Sequence, residues 1–148
     1  MARYMPVETF IWNDDKFPYA SDECQDVWFH LFTNPLSNSL GLYKASVAGL
    51  AEEKNRNGSW PLKRYREGFN EAIALGFLEY DEKAMLIYFP HFFEASRRAN
   101  HPKSINAIKN WGRLWREIPD SPLKGKCYHA LKGILQGYAQ GMMVAFED

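Results

Sequence analysis

The chain has 148 residues, 46% hydrophobic and 16% aromatic, which is ample for the core of one ordinary domain and excludes a disordered chain. Eighteen Lys/Arg balance eighteen Asp/Glu, which excludes the whole-molecule attraction to nucleic acid or anionic membrane that a basic protein exerts, so any polyanion contact must be local. No run approaches the length needed to cross a bilayer and "MARYMPVETFIW" holds no unbroken apolar targeting segment, so no membrane partner and a cytoplasmic location are expected.

The charge is unevenly spread. Residues 1–90 carry nine basic and thirteen acidic side chains, and residues 91–132 carry nine and three. A basic C-terminal third on a mildly acidic body involves that third, as well as the body, in any phosphate contact.

The alternation of "VETFIW", Val7 to Trp12, predicts a short strand, ended by the turn-like "NDDKFPY". Ser21 is an expected N-cap, with Asp22 and Glu23 favourably placed against the helix dipole, and Cys24, Val27, Trp28 and Leu31 form one apolar face. That first helix ends near Thr33, and "TNPLSNS" interrupts the apolar pattern before "GLYKA", a predicted small strand. Asn34, Ser37, Asn38 and Ser39 suit local turn hydrogen bonds or contact with a DNA backbone. Ser46 then caps a second short helix with Val47, Leu50 and Ala51 facing inward.

Asn57-Gly58 marks a turn, and Pro61 is placed at the first position of a third helix whose core face is Tyr65, Phe69, Ala72 and Ile73. "GFLEY" and "MLIYF", joined by Asp81 to Ala84, predict a β-hairpin. Strand, helix, strand, helix, helix, hairpin is the succession of a winged helix-turn-helix, the hairpin being the wing. The fold class expected is therefore α+β and mainly helical, with a winged helix-turn-helix domain over residues 1–93 and a C-terminal helical extension over 94–148. That extension contains an irregular basic connection, a fourth helix with Ile105, Ile108, Leu114 and Trp115 on one face and Lys109, Arg113 and Arg116 on another, and a fifth. The fifth helix starts at Ser121-Pro122 and presents Cys127, Leu131, Ile134, Leu135 and Tyr138.

Nothing in the chain reads as catalytic. It has no G-x-S-x-G elbow, no P-loop and no paired metal-ligand spacing, and His30, His91, His101 and His129 are scattered. Cys24 and Cys127 read as buried small apolar side chains. A non-enzymatic protein without cofactor or metal is expected.

Binding chemistry gathers on the third helix, where Lys63, Arg64, Arg66 and Asn70 offer groups for phosphates, guanine edges and adenine. The same residues equally suit the solvated face of an amphipathic helix, and Glu67 and Glu71 beside them repel phosphate. Lys83 adds one cation at the hairpin, and Arg97, Arg98 and Lys103 follow in a stretch able to wrap a duplex or simply stay solvated. Gly133, Gly137 and Gly141 recur every four residues, a spacing that fits a fraying tail, or close packing on the body or on a second copy of the chain.

The segments "RYMPVETFIWNDDKF", "LFTNPLSNSLGLYKASVAGLAEE", "FLEYDEKAMLIYFPHFFE" and "NHPKSINAIKNWGRLWREIPDSPLK" together resemble phage and prophage replication proteins with an N-terminal winged helix. The likeness runs from about Arg3 to Leu123, and "TNPLSNSLGLY" is its most specific piece. It implies DNA binding, duplex first, during initiation of phage replication, in a group similar to replisome organisers and helicase loaders of the DnaD-like type. The helicase-contacting second domain of that group has no counterpart in these 148 residues, so the implication carried forward is DNA binding rather than helicase loading. A dimerisation or adaptor module contacting a replisome protein, or a transcriptional regulator on the same fold, are the other expectations.

Overall fold

The computed structural model describes residues 5, 7–92 and 105–135. Arg97, Arg98, Lys103, Tyr138, Gly137 and Gly141 lie outside them, as do the side chains of Ile105, Ile108, Ile134 and Leu135.

Two short 3₁₀ turns, Thr9–Asn13 and Phe17–Tyr19, precede α1, Asp22–Phe32. The strand expected at Val7 to Trp12 is thus replaced by a 3₁₀ turn. Ile11 is the residue this turn buries in the first core, Trp12 stays 53% exposed with its ring centroid 5.5 and 6.3 Å from those of Phe17 and Phe29, and among the described residues no strand pairs with the segment. Asp14 closes the turn that follows, its Oδ2 accepting the N–H groups of Lys16 and Phe17 at 2.9 and 2.8 Å.

Helix α1 begins as its sequence dictates, with Ser21 Oγ accepting the Cys24 N–H at 3.1 Å. Cys24, Val27, Trp28, Leu31 and Phe32 are all buried. Trp28 stacks on Phe32, centroids 4.5 Å apart, and Phe89 meets both rings edge-on. Full burial of each such side chain contributes about 1.5–3 kcal/mol.

The polar interruption after α1 is a pair of Asx turns. Asn34 Oδ1 accepts from Leu36 N and Asn38 Oδ1 from Leu40 N, each at 2.9 Å, and Asn38 Nδ2 donates to Leu42 O. Asn34 and Ser37 are buried, so both belong to the framework. Gly41 closes the loop at φ +72, with a Cβ there lying 2.5 Å from the Phe92 ring.

Strand β1, Leu42–Lys44, leads to α2, Val47–Lys54, and α3, Leu62–Ala74. Ser46 Oγ accepts from Gly49 N at the start of α2. Pro61 is the N-cap of α3, one residue before the position expected for it. Helices α1 and α3 pack tightly because Gly68 lets them: a Cβ at that position would lie 2.5 Å from the Glu23 carbonyl oxygen and 2.9 Å from a Val27 methyl.

The hairpin consists of β2, Glu79–Asp81, and β3, Leu86–Tyr88. The sheet is antiparallel in the order β1-β3-β2, with Tyr43 opposite Ile87 and Tyr80 opposite the same residue from the other side. Period-two alternation divides the strands between two cores. Tyr43, Ile87 and Phe89 face α1, α2 and α3, whereas Leu42, Leu86 and Tyr88 face the C-terminal helices.

Those helices are α4, Ile105–Glu117, and α5, Pro122–Leu135. With Ile118 between them, they cover the far face of the sheet through Trp111, Leu123, Cys127 and Leu131. Trp111, which the expected Ile105, Ile108, Leu114, Trp115 face left out, is 2% exposed, while Leu114 and Trp115 are only partly buried. Lys109, Arg113 and Arg116 are exposed, as expected. Architecture among the described residues is therefore mixed α+β: five α-helices and one three-stranded sheet in three layers.

Candidate nucleic-acid interface

The α2–α3 connection is closed by side-chain hydrogen bonds. Asn55 Oδ1 accepts from Trp60 N at 2.8 Å, and Asn57 Oδ1 accepts from both the N–H and the hydroxyl of Ser59. Gly58 takes φ +80 in between. Trp60 is buried beneath two cations, Arg64 at 4.0 Å and Lys54 at 4.9 Å from its ring centroid.

Arg64 is engaged by this framework. Its Nε and Nη2 donate to Glu23 Oε1 at 3.3 and 3.2 Å, and its Nη1 donates to Ser59 O at 2.8 Å. It ties α3 to α1 and to the turn, with its side chain 37% exposed. Lys63, Arg66 and Asn70 are instead exposed on the outer face of the helix, with no hydrogen bond or ion pair among the described residues.

Glu71 is withdrawn from the outer face. Its Oε1 accepts from Ser21 Oγ at 2.6 Å and its Oε2 from Ser21 N at 2.9 Å. These bonds, the hydroxyl's first, hold its carboxyl below the usual glutamate range. Of the two acids expected to repel phosphate, one thus points at α1 and only Glu67 stays exposed.

Across from α3 stands the hairpin. Its connection is closed by Asp81 Oδ1 accepting from Ala84 N at 3.2 Å and by Met85 in the left-handed region, φ 56, a conformation that costs a non-glycine residue about 1–2 kcal/mol. Ala45 N donates to Met85 O at 2.9 Å and fixes it there. Between α3, the start of α2 and the hairpin lies a groove of about 460 Å³. Arg66 and Asn70, one helical turn apart, line one side; Tyr80, Glu82 and Met85 line the other; Phe69 meets Tyr80 edge-on, centroids 5.4 Å apart. Glu82 and Tyr80 were not among the expected binding residues, and the cue available was a hairpin following directly on the helix that carries Arg66 and Asn70. Lys83 is exposed at the hairpin tip.

The other acids of the hairpin serve the C-terminal layer. Ser121 Oγ donates to Asp81 Oδ2 at 2.6 Å, Lys126 Nζ pairs with Glu79, and Trp111 Nε1 donates to Ser39 Oγ at 3.1 Å. Ser121's hydroxyl, chiefly, holds the Asp81 carboxyl below its usual range. The hairpin's position beside α3 is thereby linked to α5.

A second polar cluster, part-buried, joins α1, α2 and α3. Glu53 Oε1 accepts from Asn34 Nδ2 and lies 3.2 Å from His30 Nε2; because a carboxylate only accepts, Nε2 carries the proton and Nδ1 accepts from Tyr65 O–H at 2.9 Å. Burial lowers the His30 pKa despite Glu53 and raises that of Tyr65. Cys24 and Cys127 are free buried thiols in separate cores, each pushed by burial up to about 12. Gly133 is exposed, and a Cβ on it would meet nothing within 4 Å. Among the described residues there is no group of His, Cys, Asp and Glu suited to a metal and no helix long and apolar enough to cross a membrane.

Comparison with protein-family models, with curated proteins and with solved structures gives no match for this chain.

Proposed function

We propose that the chain is a winged-helix DNA-binding protein that acts in initiation of phage DNA replication, with α3 as its reading helix and the β2–β3 hairpin as its wing. The observation that carries this reading is the outer face of α3. It presents Lys63, Arg66 and Asn70 with no intramolecular hydrogen bond or ion pair among the described residues, beside a hairpin whose Lys83 is exposed. Supporting it, β1 pairs with β3 of the hairpin, and α1, α2 and α3 pack on one face of the small sheet so formed. The replication role rests on the resemblance carried by "TNPLSNSLGLY", not on the face itself.

Fluorescence anisotropy with labelled duplex across a salt series tests the reading. Binding is expected to weaken linearly in log–log form as salt rises, and Lys63→Ala with Arg66→Ala is expected to reduce the slope by about 2, one for each phosphate left without its cation. A wild-type affinity indifferent to salt, or a double variant that binds like the wild type, overturns it.

A further inference from the structure

We propose that the groove between α3 and the hairpin seats one unpaired guanine base, with Arg66 reading its O6 and N7 and Glu82 accepting from its N1–H and 2-amino group. The proposal rests on the DNA-binding reading and gives Arg66, a phosphate partner when duplex is bound, a second ligand when an unpaired base is offered to the groove.

Size is the first argument. A space of about 460 Å³ falls in the range that single small ligands fill, whereas a duplex could only lie across it. Its lining is the second. Phe69, Ile73, Tyr80 and Met85 supply apolar and aromatic surface for the flat faces of a base.

Charge is the third. Arg66 and Glu82 both line the groove, and each lies near enough to the Tyr80 hydroxyl to act on it, in opposite directions. No ion pair joins them among the described residues. A phosphate would meet the glutamate with like charge, so the groove calls for a neutral group with acceptors on one edge and donors on another. Guanine has that pattern: two acceptors suited to a guanidinium and, on the adjacent edge, two donors suited to a carboxylate. Adenine and cytosine each set a ring-nitrogen acceptor beside their one amino donor, and thymine sets its one N–H between two carbonyl acceptors, so none of them offers a carboxylate two adjacent donors. In a duplex the N1 and 2-amino edge is paired, so Glu82 reaches it only at a strand end, a junction or an opened site. Asn70, one turn beyond Arg66, extends the polar side of the groove.

Anisotropy on the full chain with labelled oligo(dT) carrying one central dG, dI, dC or dT, alongside a duplex, tests this. The dG strand is expected to bind about tenfold tighter than all-dT, the gain expected of one good bidentate pair. The dI strand, lacking the 2-amino group, is expected between them. Glu82→Gln and Arg66→Gln, both at exposed positions and checked for fold by circular dichroism, are each expected to erase the dG preference. Equal affinity for the dG and dT strands, or a preference that survives Glu82→Gln, overturns the base seat while salt-dependent duplex binding leaves the DNA reading standing. Failure to bind duplex and every strand overturns both.

Discussion

Ser21 and Glu71 cap one helix from another: the hydroxyl that accepts the Cys24 N–H of α1 also donates to the Glu71 carboxylate of α3, at 2.6 Å. The arrangement is a capping box whose acid comes fifty residues later in the chain. It joins the start of α1 to the helix we propose as the reading element, and it keeps a negative charge off that element's outer face.

Replacing Glu71 by Gln keeps the shape and removes the charge, and a loss of about 1 kcal/mol is expected, the usual worth of a cap. The pH dependence follows from the direction of the shift. A carboxyl held below its usual range when folded contributes stability above its unfolded pKa and loses it as pH falls through the lower folded value. Urea unfolding of wild type and Glu71→Gln is therefore expected to show a difference at neutral pH that closes in acid. A difference constant with pH would mean that the bonds to Ser21 do not depend on the charge.

Gly68 is the second point where α1 and α3 depend on one residue. A methyl group there would strike the backbone of Glu23, which cannot rotate aside, so the helices must separate. Gly68→Ala is expected to destabilise by about 1–3 kcal/mol, the cost of overpacking, although Ala is the better helix former by about 1 kcal/mol. Thermal unfolding decides it, since a variant at least as stable as wild type would place the helices farther apart than described. Gly58 and Gly76, at φ +80 and +84, meet nothing within 4 Å, so their cost on substitution comes from backbone conformation alone.

Much of this was legible in the sequence where local chemistry acts alone. Ser21 and Ser46 announce their helices, and the stripe from Cys24 to Leu31 is buried as its period requires. What failed was whatever depends on a partner distant in the chain. "VETFIW" alternates like a strand, but its Ile11 is buried in the first core from a 3₁₀ turn, and the sheet is built from β1, β2 and β3 without it. Trp111 was missed because an aromatic-rich helix offers several apolar faces, and only the back of the sheet, through Leu42, Leu86 and Tyr88, selects one. Arg64 and Arg66 are indistinguishable by residue type, yet Glu23 and Trp60 claim the first and leave the second exposed.

Trp111 should also report whether the C-terminal layer is integral to the fold. Its ring is buried against the second core and its Nε1 reaches Ser39 in the "TNPLSNS" loop. Trp111→Ala is expected to cost about 3–5 kcal/mol. Trp111→Phe keeps most of the packing and loses the hydrogen bond, for about 1 kcal/mol. Because Ser121, just before α5, and Lys126 within it bind Asp81 and Glu79, the Ala variant is also expected to increase hydrogen exchange in β2. Exchange confined to α4 and α5 would show instead that the hairpin holds its place unaided.

His30 sets the last expectation. It lies between Tyr65 and Glu53, joining α1, α2 and α3, and burial lowers its pKa from the ordinary 6.5. Lys54 and Arg56 act in the same direction, and Glu53 opposes them. A histidine that is harder to charge when folded makes the unfolded chain bind more protons, so stability is full above the unfolded pKa and declines as pH falls toward the lower folded value. Wild-type stability is therefore expected to drop between about pH 7 and pH 5, the region where an ordinary histidine titrates. His30→Gln, which can still donate to Glu53 and accept from Tyr65, is expected to flatten that limb at a constant cost of about 1 kcal/mol. Glu71 acts in the same sense at lower pH, so the two variants separate the contributions. A wild-type profile level across this range, or one that His30→Gln leaves sloping, would show that the imidazole is reached by water and titrates freely in the folded chain.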